Sequence, residues 1–253
     1  MLRIRIIPCL LLRNESLVKT VKFGKFGYIG DPANTCRIFN ELEVDELAFL
    51  DINANKERCE PNYNVLADIA NECFMPVSYG GGISSVAIAE RILKLGFEKI
   101  VLNTYSLTNP SLITEISTAF GSQSLIVSID VKTNFWGKQH CRGRSGTENS
   151  KRHPVDWAKE VQQRGAGEIL LTSIDNEGTW SGFDIELTRQ VTDAVSIPVI
   201  ANGGAGSLQH IGEAVKIGHA SAVALGSMVV YQKQGMGVLV NFPDEKKLKA
   251  VID

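Results

Sequence analysis

Long hydrophobic runs are missing from this chain. Nowhere in its 253 residues does a stretch approach the ~20 consecutive apolar positions of a membrane-spanning helix. No separate signal-type segment precedes residues 4–12, which read as a buried strand. A cytoplasmic protein without a membrane partner is the expectation. An excess of charge of one sign is missing too. Lysine and arginine total 26 against 28 aspartates and glutamates, and a net charge of -2 offers no basic field for nucleic acid or an acidic membrane surface. Cysteine is sparse and scattered: Cys9, Cys36, Cys59, Cys73 and Cys141 are odd in number and contain no CxxC pair. The four histidines (His140, His153, His210, His219) lie far apart. No structural metal and no other cofactor is expected, and Cys9 and Cys73 read as buried reduced thiols. Gly/Ser linkers, charge blocks and low-complexity tracts are also lacking, so residues 1–253 read as one domain.

What is present is alternation. Apolar runs of strand length recur at residues 5–11, 46–51, 76–79, 99–102, 124–130, 168–172, 198–201 and 222–225. Between them lie segments of helical period at 32–43, 62–73, 85–95, 110–120, 154–164, 184–194 and 207–217, with a charged stretch at 244–252 able to supply an eighth. Continuous apolar strands alternating with amphipathic helices require a parallel sheet covered by helices. Eight of each predicts an α/β fold of the (β/α)8 TIM barrel type rather than an open sheet.

Two stretches organise this pattern. Residues 75–83 (MPVSYGGGI) and 197–205 (IPVIANGGA) each run from proline through a short apolar strand into a glycine cluster and then a helix. Pro198 lies 122 positions after Pro76 (198 less 76), and the same offset pairs Glu46 with Glu168, Gly81 with Gly203, Gly82 with Gly204 and Gly96 with Gly218. That register predicts two fused half-barrels. Backbone N–H groups gathered at a glycine-rich strand end favour an anion, so two units suggest a small ligand phosphorylated at both ends. Ordinary barrel turns would also use glycine. Active sites of such barrels gather where strands end, which selects Leu11, Asp51, Gly81 and Gly82, Asn103 and Thr104, Asp130, Asp175, Gly203 and Gly204, and Gly226 and Ser227. At the opposite end Arg5, Glu46, Lys99 and Glu168 start strands one, two, four and six. Two cations and two anions there can neutralise one another in a ring, or simply cap the floor.

Residues 5–10 (RIIPCL), 45–51 (DELAFLD), 80–83 (GGGI), 103–104 (NT), 120–123 (FGSQ), 165–175 (GAGEILLTSID) and 203–206 (GGAG) are collinear with, and resemble, the synthase (cyclase) subunit of imidazole glycerol phosphate synthase. The resemblance implies a two-part machine of histidine biosynthesis. A separate glutaminase subunit docks on the N-terminal barrel face. Its ammonia enters through a gate at the positions of Arg5, Glu46, Lys99 and Glu168, crosses the interior, and reacts with a bisphosphorylated substrate at the far face. The resemblance also gives Gly81, Gly82, Asn103 and Thr104 to one phosphate site and Gly203, Gly204, Gly226 and Ser227 to the other. Lys19 matches a loop lysine, while Asp51 and Asp175 have substrate contacts or plain capping as alternatives.

One departure decides how far the resemblance reaches. The family's general acid and base are aspartates at the ends of strands one and five. Asp130 keeps the second, but Leu11 stands at the first, and leucine cannot move a proton. Glu15 is the nearest carboxylate and would have to fold over the ligand to substitute. The segment 132–147 reads as a basic hairpin carrying Phe135 and Trp136, suited to a solvated role or to a ligand or protein contact. The Ile-Pro-Cys-Leu-Leu-Leu pattern and the Phe-Trp-Gly hairpin resemble synthase-like proteins of bacterial surface-polysaccharide pathways. In that branch ammonia goes on to a third, sugar-modifying enzyme. A true histidine-pathway cyclase and a phosphate-binding scaffold that only activates the glutaminase are the alternatives.

Overall fold

A computed structural model describes residues 4–57 and 59–252. Eight parallel strands form its centre: β1 (Arg5–Arg13), β2 (Leu47–Asp51), β3 (Val77–Gly80), β4 (Lys99–Leu102), β5 (Leu125–Thr133), β6 (Glu168–Ser173), β7 (Val199–Asn202) and β8 (Ala222–Leu225). Each bonds to the next in chain order, and β8 returns to β1 with Ala222 beside Arg5. The circle is closed, so this is a (β/α)8 TIM barrel. Eight helices cover it: α1 (Pro32–Glu41), α2 (Tyr63–Glu72), α3 (Val86–Lys94), α4 (Ser111–Phe120), α5 (Pro154–Gln163), α6 (Ile185–Thr192), α7 (Leu208–Lys216) and α8 (Glu245–Ile252). Among the described residues no helix is long and apolar enough to cross a membrane.

Side chains alternate along each strand with a period of two. From β1, Ile6, Leu10 and Leu12 enter the large core beneath the helices. Ile7 and Cys9 enter a separate inner cluster with Ala48, Val101, Ile126, Leu170, Ile200, Ala222 and Ala224. The inner cluster fills the barrel with small and branched side chains. Because both faces of every strand are buried, the strand sequences are continuously apolar, which made them visible in the sequence.

The repeat is reproduced in backbone detail. Asn62 and Asp184 cap α2 and α6 with the same angles, φ -77° and ψ 91°. Ser85 and Ser207 cap α3 and α7 with φ -153° and ψ 162° or 163°. Each cap's side-chain oxygen accepts from the backbone N–H three residues on. The offset then becomes 123 (222 less 99) at β4 and β8, where His219 (φ 57°) occupies a left-handed position just after Gly218.

Two strands run two or three residues past their predicted ends. β1 continues to Arg13 because it folds back on Ser16–Thr20, which pairs in turn with Phe26–Gly30. β5 continues to Thr133 because Gln139–Gly143 supplies an antiparallel partner, with Asp130 opposite Arg142. Above the barrel rim these hairpins, rather than the neighbouring barrel strands, satisfy the backbone. The first hairpin was missed in the sequence because its alternation is interrupted by charged and glycine residues at 22–27.

Candidate active site

The floor comes first. Arg5, Lys99 and Glu168 open their strands and Glu46 immediately precedes β2, so all four point into the same end of the barrel. Arg5 donates to Glu46 (2.7 Å) and Glu168 (2.7 Å), and Lys99 donates to Glu46 (3.2 Å) and Glu168 (2.8 Å). Cation and anion alternate around a closed ring. Burial alone would raise the Glu168 carboxyl, but the bonds from Arg5 and Lys99 outweigh it and hold it below its ordinary value. For Arg5 burial opposes the charge, and the two glutamates more than restore it.

At the other end lies a cavity of ≈ 460 Å³. Its wall includes Cys9, Leu11 and Leu50 from the inward faces of β1 and β2, Asp51, Asn103 and Thr104, Ser128 and Asp130, Thr172, Glu177, Asn202 to Gly204, and Gly226 with Ser227. Asp130 is buried and accepts a hydrogen bond from the Ser128 hydroxyl at 3.0 Å. Burial dominates over that bond and raises its pKa to about 6, with the nearby Glu177 charge adding to the rise. A carboxyl poised there exchanges protons readily near neutrality. The shift has a stability consequence. The folded value lies above the ordinary 3.8, so Asp130 destabilises the fold increasingly between those two pH values and fully above the upper one. Asp130→Asn should therefore stabilise the protein against urea at pH 7.5, with the gain shrinking toward pH 4. An equal gain at both pH values would show that ionisation is not the cause.

Leu11 lines the same wall at 8% exposure, in register with Leu50 and Val18. Glu15 lies away from it, in the two-residue turn with Asn14, exposed and outside the cavity. Asp51 does line the cavity, and its carboxylate accepts from the backbone N–H groups of Asn53 (2.8 Å) and Ala54 (3.0 Å). Burial pushes its pKa up against those bonds.

Both glycine clusters stand at the cavity mouth. Gly81 (φ 132°), Gly82 (φ 68°), Gly203 (φ 93°) and Gly204 (φ 106°) all have left-handed backbones. A Cβ on Gly81 would approach Asp51 O to 2.7 Å, and one on Gly204 would approach Gly182 O to 2.1 Å. Glycine is therefore required first by the protein's own packing. Asn103 and Gly226 each precede a short helix, Thr104–Thr108 and Ser227–Val230, at matching positions of the two halves. Lys19 lies across Gly226, whose added Cβ would stand 2.7 Å from Lys19 Cε.

Two of the candidate residues fall elsewhere. Gly82 packs against Cys59 O and Ala54 outside the cavity wall. Asp175 also lies outside it, and accepts from Thr133 N (2.9 Å) beside the turn of the second hairpin. Strand-end position selected Asp175, but the chain turns away there and presents Glu177 instead. Among the described residues, no group of three or more His, Cys, Asp or Glu is placed to hold a metal ion.

A family model described as "Histidine biosynthesis protein" matches residues 5–235. The chain belongs to that family. Among its relatives is a Pseudomonas aeruginosa protein provisionally named imidazole glycerol phosphate synthase subunit hisF2. It is 48% identical over 248 residues, covering 98% of this chain and 99% of the relative. A Leptospira borgpetersenii protein, provisionally named imidazole glycerol phosphate synthase subunit HisF, is 46% identical over 245 residues and 96% of each chain. The imidazole glycerol phosphate synthase subunit HisF of Alkaliphilus metalliredigens is 42% identical over 229 residues, covering 90% of this chain and 91% of the relative.

Within this member of the histidine biosynthesis family, Glu177 is the cavity residue that sequence reasoning passed over. Its buried carboxylate accepts from the Lys19 ammonium, from Thr20 Oγ1 (3.0 Å) and from Phe23 N (3.1 Å), while Lys22 N donates to its backbone carbonyl (2.9 Å). One side chain thus fastens the first hairpin over the cavity. The available signal was weak: a carboxylate two residues beyond a strand-end aspartate and just before Gly178. Glu177→Ala should release this clasp and leave Lys19 and Thr20 unpaired. Limited trypsin digestion should then cut at Lys22 or Lys25 about ten-fold faster than in the wild type, since local opening of ~1.4 kcal/mol corresponds to that factor. Unchanged cleavage would show that the hairpin is held by other contacts.

Proposed function

We propose that this chain is the HisF-like barrel subunit of a two-part glutamine amidotransferase. Ammonia released by a separate glutaminase on the N-terminal face enters at the Arg5–Glu46–Lys99–Glu168 ring, crosses the interior and emerges in the cavity around Asp130. The observation that carries this reading is the closed ring of four charges beneath an interior of small and branched apolar side chains, directly under the cavity. Neutral ammonia suits such an interior, whereas an ammonium ion would be desolvated at high cost. The glycine-rich mouths, with Asn103 and Thr104 on one side and Gly226, Ser227 and Lys19 on the other, supply groups suited to a phosphorylated ligand.

Leu11 sets the second part of the reading. With one of two proton-handling carboxylates absent, the chain serves as a paralogue that passes ammonia to another enzyme, of a surface-polysaccharide sugar amidation, rather than closing an imidazole ring itself. The second hairpin supports an upper-face partner. Phe135 (97% exposed) and Trp136 (80% exposed) stand edge to face at its tip, flanked by exposed Lys132 and Lys138.

The test uses the purified chain with the glutaminase encoded by the same genome. A one-to-one complex and glutamine hydrolysis raised at least ten-fold by the barrel are expected. With ammonium salt and the bisphosphorylated histidine-pathway substrate, turnover should stay near background. Failure to associate would defeat the two-part reading. Brisk cyclisation would defeat the paralogue reading and make the chain a histidine-pathway cyclase.

A further inference from the structure

Two cysteines that the sequence scatters are neighbours in space. Cys36 lies within α1 and Cys73 is the C-cap of α2, and their sulfur atoms are 3.3 Å apart. Neither lines the cavity. The helices that carry them are tied by side chains on both sides of the pair. Arg37 makes a two-pronged bond to Glu72 (2.7 and 2.6 Å). Asn40 donates to Glu72 O (2.6 Å) and accepts from Phe74 N (3.2 Å). The sulfurs are therefore held face to face by an independent framework rather than by chance approach. A disulfide has a sulfur–sulfur distance of ~2.05 Å, so closing the bond requires a movement of roughly an ångström.

The two thiols differ in access. Cys36 is fully buried, whereas Cys73 is half-buried at the edge of the helix pair. The hydrogen bond between the two sulfurs holds the Cys73 thiol below its ordinary value, and the same bond, with burial, pushes Cys36 up. Cys73 is thus the reachable, more acidic thiol and Cys36 the protected one behind it, the arrangement that favours an attacking and a resolving cysteine.

We propose that Cys36 and Cys73 are a peroxide-reactive pair that forms a reversible disulfide stapling α1 to α2. The Cys73 thiolate attacks one oxygen of hydrogen peroxide, the O–O bond breaks, and the departing hydroxide takes up a proton as water. The resulting Cys73 sulfenic acid is attacked by the Cys36 sulfur. Its S–O bond breaks, and the hydroxyl leaves as a second water with the Cys36 proton. Two thiols lose two electrons and one peroxide becomes two waters. A small dithiol reverses the bond by exchange. The closed loop contains β2 and the ring residue Glu46, so the staple stiffens the segment that carries one quarter of the floor.

The experiment uses the full chain carrying Cys59→Ser, which removes the exposed thiol as a route to intermolecular linkage. After exposure to hydrogen peroxide, peptide mass mapping should find Cys36 joined to Cys73, with intact mass lower by two hydrogens and full reversal by dithiothreitol. The thermal midpoint should rise by about 4–10 °C on oxidation and return on reduction. Adding Cys36→Ala should stop the reaction at a Cys73 sulfenic acid that dimedone traps. Should that buried substitution prevent folding, Cys73→Ala at the half-buried position should fold and abolish both the link and the shift in midpoint. Persistent Cys73 sulfenic or sulfinic acid without a link in the parent protein would overturn the proposal. So would linkage to Cys9 or Cys141, or no reaction under conditions that oxidise a free small thiol.

Discussion

Leu11→Asp is expected to raise ammonia-dependent cyclisation of the histidine-pathway substrate by about 10²-fold, and by up to ~10⁴-fold, the range that one positioned acid or base contributes. Leu11 is an inward residue of β1 on the cavity wall, and Asp130 on β5 lines the same cavity. The new carboxylate would enter a buried site already holding Asp130 and Glu177, with Lys19 as the nearby cation. Some stability should therefore be lost, and the thermal midpoint must be measured beside the rate. A folded Leu11→Asp variant that binds the substrate yet turns it over no faster than the parent would show that other parts of the catalytic machinery have diverged as well.

Arg5→Met should have the largest effect on stability. Arg5 is the only arginine of the floor ring and contacts both glutamates, so its loss leaves Glu46, only 4% exposed, and Glu168 to share Lys99. Removing one partner of a buried ionic cluster typically costs about 3–5 kcal/mol, because the remaining charges stay desolvated. The control is Arg37→Met, which breaks the geometrically good but exposed pair with Glu72 and should cost under about 1 kcal/mol. Urea unfolding at pH 7.5 compares the two. The Arg5 effect also carries a pH signature. The Glu168 carboxyl is held below its ordinary 4.5, so the ring's contribution is intact above that value and is lost as pH falls through the lower, folded value. Losses of equal size for the two variants would mean that the floor is solvated like the surface and supplies no enclosed gate.

The same contrast, between what lies along a strand and what lies between strands, separates what was legible in the sequence from what was not. The eight strands and eight helices were found to within three residues because burial on both faces of a strand leaves continuous apolar runs and each helix keeps an apolar period. That position 11 carries leucine and no carboxylate is read directly from the sequence.

Other features depended on which segments meet. The role of Glu177 comes from the hairpin Ser16–Thr20 and Phe26–Gly30 folding over a loop some 150 residues later. Asp175 and Gly82 were drawn out of the cavity by a turn and by packing against the Cys59 carbonyl, neither of which has a local signature.

By itself, then, the sequence determined the barrel, its repeat and the identity of the residues at each strand end, because period and apolarity are properties of neighbours along the chain. Only the tertiary structure decided that Lys19 is held by Glu177 across Gly226, and that Cys36 faces Cys73. Those contacts depend on the register and curvature of the closed sheet and on how helices settle against it. Distances of that kind are fixed by packing and are not encoded in any single stretch of residues.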